Sequence, residues 1–107
     1  MNPDDLKSLA DFNFERSIHL KNIRESAHAK LNVPYNGGMF TATVNLIGFL
    51  NVWPDETVII EDIYGNPIEV NRTELLSLII PAYKNSMQWW LSEFDSGKRT
   101  SWRGPDV

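Results

Sequence analysis

Cysteine is absent from the chain, which excludes a disulfide framework, a thiol nucleophile and any cysteine metal site. No apolar run approaches the ~20 residues of a membrane span. The amino terminus, MNPDDLKSLADF, carries acids where a secretory signal carries bases. Residues 33–70 contain Asp55, Glu56, Glu61, Asp62 and Glu69 and not one lysine or arginine. An acidic middle repels phosphate, so a broad nucleic-acid face is disfavoured. These absences predict a soluble intracellular protein that binds neither nucleic acid nor membrane.

The usual signatures of chemistry are missing too. There is no serine elbow, no HExxH and no Rossmann glycine fingerprint. Gly37-Gly38 invites a phosphate-cradle reading, but no Lys-Ser/Thr follows it. His19 and His28, the only histidines, are nine residues apart and leave a helix on opposite faces, so one helix cannot bring both to a metal. Asp55/Glu56 follow Pro54 in a turn, and Glu61/Asp62 are adjacent on a strand and face opposite sides. Acids in such a turn are routinely solvated, and the second pair cannot flank one substrate from a regular strand. The expectation is therefore no catalytic residue, no cofactor and no metal. Asn71-Arg72-Thr73 matches a glycosylation sequon but reads as a helix cap.

What is present organises around Asn71 to Phe94. Asn71 can cap the first turn, with Glu74 three residues on to reach back to it. Leu76, Ile80, Tyr83, Met87, Trp90 and Phe94 step by four and three along one stripe, and Leu75, Ile79 and Ala82 widen it into a second row. The stripe keeps its phase across Pro81, which predicts one kinked helix, and Gly97 supplies its stop.

Pro3 to Leu31 reads as a second long helix, with Leu6, Leu9, Leu20, Ile23, Ala27 and Leu31 on one thin face. Asp11-Phe12-Asn13-Phe14 is poor helix material and could break it, Asn13 capping the second piece. Val33 to Gly38 reads as a loop, because Pro34 disfavours helix at Val33 and Asn36-Gly37-Gly38 permits positive φ. Phe40–Ala42 suggests a short strand and Val44–Val52 a short helix from a Thr43 cap. Thr57–Ile63 and Ile68–Val70 form a hairpin about Tyr64-Gly65-Asn66-Pro67. Such a hairpin is marginal alone, and Phe40–Ala42 is the strand available to extend it. The fold class is α+β, mainly helical: long N-terminal and C-terminal helices packed with a short helix and a small antiparallel β-hairpin. Residues 1–95 make one domain and 96–107 an extended or flexible tail.

The tryptophans carry the remaining signal. Trp53 closes the core beside the short helix. Trp89 and Trp90 leave their helix about 100° apart, so one core does not easily bury both. Aromatic anchors of this kind are enriched at interface hot spots. The candidate protein-binding residues are Trp89, Trp90, Phe94, Arg99, Trp102 and Arg103.

Phe40-Thr41-Ala42-Thr43, Leu46-Ile47-Gly48-Phe49-Leu50, Trp53, Tyr64 to Arg72, Glu74-Leu75-Leu76, Tyr83 and Trp90 together resemble small uncharacterised proteins encoded by tailed phages of marine cyanobacteria. The resemblance covers residues 33–94 and leaves both ends outside it. Its motifs are turn, cap and core residues. Where this chain has Val44-Asn45 those relatives look to have Pro-Glu, a stronger helix start. The resemblance implies a viral protein in the host cytoplasm or the virion, and no catalytic residue carries over. It implies a non-enzymatic tail or virion assembly factor or minor structural component that binds a phage or host protein, with homo-oligomerisation open. The alternative is a host-takeover protein that inhibits a bacterial enzyme or the transcription machinery through its acidic residues 55–69.

Overall fold

The computed structural model describes the backbone of residues 3–101 and the side chains of residues 11–96. Seven elements follow in order: α1 (Pro3–Ala29), β1 (Asn32–Tyr35), β2 (Gly38–Thr41), α2 (Val44–Val52), β3 (Thr57–Glu61), β4 (Pro67–Asn71) and α3 (Arg72–Ser101). The fold is α+β and mainly helical. Helix α3 is the common support, in contact with α1, α2, β1 and β4.

The molecule is long. It measures 66 × 23 × 19 Å with a radius of gyration of 20.0 Å, against about 13 Å for a compact chain of this length. The two hairpins, α2 and the first half of α3 form a head. Helix α1 and the second half of α3 form a stalk. As the chain advances its contacts retreat along α3: Ala27 meets Ser86 and Tyr35 meets Glu74. Helix α1 thus enters the head running against α3.

The core of the head joins Leu31, Phe40, Ala42, Leu50, Val58, Val70, Leu75 and Ile79. Leu50, Val70, Leu75 and Ile79 are fully covered, each worth about 1.5–3 kcal/mol relative to exposure. Trp53 is half-buried against this core; its indole N–H donates to the Thr57 carbonyl and its ring lies 5.3 Å from that of Phe49. Helix α2 begins as its sequence predicts, with the Thr43 hydroxyl accepting the Leu46 N–H at 3.1 Å. At its far end Arg72 donates to the Leu50 carbonyl, one of the acceptors a helix terminus leaves over.

Residues 33–38 depart from the expected loop, while Phe40 and Thr41 lie in a strand as expected. Residues 32–41 form a hairpin, β1 against β2, with Tyr35 opposite Gly38. Asn36 and Gly37 take φ of 48° and 85°, the pair of positive angles that a two-residue turn needs to match strand twist. Phe40 therefore pairs with Val33 and does not add a third strand to β3–β4; the sheets are separate. They are joined through the outer edge of β2. The Met39 N–H donates to the Asp62 carboxylate at 3.1 Å, and its carbonyl accepts the Ile63 N–H at 2.9 Å.

Two helix boundaries also differ. Helix α1 runs unbroken through Asp11–Phe14, because Arg16, Leu20, Ile23 and Ala27 hold one covered face against α3 and override weak local propensity. Helix α3 passes Gly97, its expected stop, and reaches Ser101. One glycine costs a helix interior about 1 kcal/mol and ends it only where the backbone turns. Pro81 is tolerated inside α3 because it and Ser77, whose carbonyl it leaves unpaired, both face solvent. The buried row of α3 is Leu75, Ile79 and Ser86, while Ile80 of the expected stripe is 43% exposed.

Candidate protein-binding surface

Where the stalk leaves the head, Ala27 and Ser86 are both almost wholly covered. Small side chains let two helices approach, and the Ser86 hydroxyl donates to the Ala27 carbonyl. That close approach fixes what flanks it. On one side the Lys30 ammonium lies 4.7 Å from the centre of the Trp89 ring, a cation–π contact. Trp90 meets the His28 ring edge-on at 5.5 Å. The adjacent indoles therefore diverge around the carboxyl end of α1.

Trp90 does not stand alone. With Met87, Leu91 and Phe94 it lines an open apolar concavity of about 250 Å³. Leu91 is 61% exposed, while Met87, Trp90 and Phe94 are half-buried. Of the six residues expected to bind protein, the structure unites Trp90 and Phe94 in this ledge. Trp89 stands apart beneath Lys30. The side chains of Arg99, Trp102 and Arg103 lie outside the described residues. Leu91 escapes a sequence reading because, at about 100° per residue, it falls just outside the stripe of Ile80 and Met87, on the side away from the second row. His28 and Lys30 escape it because their aromatic partners lie about sixty positions away.

Two acids of the head, Asp62 and Glu74, have structural partners. Asp62 is buried; one carboxylate oxygen accepts the N–H groups of Tyr64 and Asn66, the other that of Met39. These bonds, the one from Asn66 foremost, hold its carboxyl below the usual aspartate range although burial works the other way. Glu74 was expected to close a capping box. Its N–H does donate to the Asn71 side chain, but its carboxylate instead accepts the Tyr35 hydroxyl at 2.7 Å. That bond is the main reason the Tyr35 phenol lies above its ordinary value. A polar cleft of about 390 Å³ opens beside this pair, lined also by Asn36, Thr57, Glu69 and Asn71. Asn36 and Asn71 there already donate to the Glu69 carbonyl and the Tyr35 hydroxyl.

No group of three or more histidines, aspartates or glutamates that could hold a metal occurs among the described residues. Nor is any described helix long and apolar enough to cross a membrane. Comparison with protein-family models, curated proteins and solved structures finds no match. The surface must therefore be read on its own geometry.

Proposed function

We propose that the chain is a non-enzymatic phage protein that acts by binding another protein, as a tail or virion assembly factor or a minor structural component. The observation that carries this reading is the ledge of Met87, Trp90, Leu91 and Phe94 on the flank of an elongated stalk. Half-buried aromatics have less side-chain freedom to lose than fully exposed ones when a partner covers them, and such anchors dominate binding energy. Exposed Leu91 supplies the apolar surface a partner would remove from water. The phage assignment rests on the resemblance over residues 33–94, and with it a place in the virion or the host cytoplasm.

The test combines location with contact. Mass spectrometry of purified particles finds the chain in stoichiometric copies if it is structural, and absent if it acts only during assembly. In either case Leu91→Asp, with helicity unchanged by circular dichroism, abolishes binding to the partner recovered with the wild type. Full binding by Leu91→Asp and by Trp90→Ala overturns the ledge as the contact.

A further inference from the structure

The outer face of α1 carries a second surface, independent of the ledge. Ile23 and Ala27 are buried toward α3, with Arg16 and Leu20 half-buried beside them. At about 100° per residue, Phe14 and Ile18 emerge on the opposite side, 67% and 43% exposed. Asp11, Lys21 and Glu25 share that side and are exposed as well. The positions 11, 14, 18, 21 and 25 advance by alternating threes and fours, the seam of a helix that packs lengthwise on another helix.

The order of residues along this seam identifies the occupant. Through Glu15 the helix has four acids (Asp4, Asp5, Asp11, Glu15) and one base (Lys7), net −3; from Arg16 to Ala29 it has three bases (Arg16, Lys21, Arg24) and one acid (Glu25), net +2. Two copies side by side in the same direction set like charges together. Two copies in opposite directions set each acidic half on a basic one. We propose that this face docks on the same face of a second copy of the chain, the two α1 helices antiparallel about a two-fold axis at the level of residue 16. In that register Phe14 faces Ile18 of the second copy and Asp11 faces its Lys21. Symmetry repeats each contact on the other side of the axis. Lys21 at present lies 3.9 Å from Glu25 within its own helix, both side chains open to solvent, so it is free to take the shorter partner. An apolar centre of four side chains bounded by paired charges makes an association that salt weakens.

Sedimentation equilibrium of the full chain tests this. At low salt the mass rises with concentration toward twice 12.3 kDa, and in 1 M salt the dissociation constant increases tenfold or more. Asp11→Lys alone and Lys21→Glu alone each leave a monomer, because each pairing becomes like-charged. Mixing the two variants one to one restores a dimer, and so does the chain carrying both changes. Phe14→Ser, which alters no charge, also leaves a monomer. A wild type monomeric at every concentration overturns the proposal, as do single charge reversals that leave association intact. Association lost on Leu91→Asp but kept by the α1 variants moves the contact to the ledge and equally overturns it.

Discussion

Ser86 and Ala27 meet across 59 positions of sequence, the serine hydroxyl donating to the alanine carbonyl oxygen at 2.5 Å in a site closed to solvent. The contact sets how near α1 comes to α3, and it depends more on smallness than on polarity. Ser86→Ala keeps the volume and loses one bond, a cost of about 0.5–1.5 kcal/mol. Ser86→Leu wedges the helices apart and costs more, about 3 kcal/mol as overpacking of a closed site. Urea denaturation of the two variants checks the order. A larger loss for Ser86→Ala than for Ser86→Leu would show that the bond, not the spacing, is what matters.

Asp62 makes stability depend on acid. Its folded carboxyl is held low, so its contribution is present above the ordinary aspartate value, ~4. It is lost as pH falls through the lower folded value. Asp62→Asn cannot accept all three N–H groups and lowers the melting temperature by several degrees at pH 7. Below pH 4 the wild type falls toward the variant, and the gap between the two curves closes. Melting curves from pH 7 to pH 2 measure it.

Tyr35 acts with the opposite sign. The bond to Glu74 raises the phenol, so the folded chain holds that proton more tightly. Its stabilisation is complete below the ordinary tyrosine value, ~10, and is lost as pH rises through the higher folded one. Tyr35→Phe removes the bond to Glu74 and leaves the Asn71 N–H without its acceptor, a cost of about 1 kcal/mol near neutrality. The deficit shrinks in alkali, as denaturation at pH 8 and pH 11 reads directly.

The glycines at the first turn separate two causes. Gly37 has a positive φ and open space about it, so Gly37→Ala costs only backbone strain, about 1–2 kcal/mol. Gly38→Ala is different: a new Cβ there sits 2.8 Å from Ile68 Cγ1. Combining it with Ile68→Ala relieves the clash, so the double variant loses less than the sum of the singles. Gly37→Ala with Ile68→Ala is additive.

The residues themselves show how far a linear reading reaches. Thr43 and Asn71 announce α2 and α3 because a cap is a local bond between neighbours in sequence. The β3–β4 pair is legible for the same reason, its turn chemistry and branched residues being contiguous. Asn36-Gly37 is equally local, yet it reads as a loop because Pro34 and a second glycine obscure the strands on either side. What stayed hidden is what tertiary contact decides. Ser86 continues the row of Leu75, Ile79 and Ala82 by spacing, but its polar side chain gives no hint that it is buried. Asp62 looks like a spare acid until Met39 arrives from another hairpin. Within the candidate surface Trp90 and Phe94 are legible from their spacing, whereas Lys30 over Trp89 is not.

The 66 Å length of the molecule also governs how it moves through solution. A rod-like outline meets more drag than a sphere of equal mass, so the chain runs through a sizing column as though it were heavier. A single copy can then elute where a globular pair would. For this protein, copy number has to be established from light scattering or sedimentation equilibrium, whose signals report mass without reference to shape.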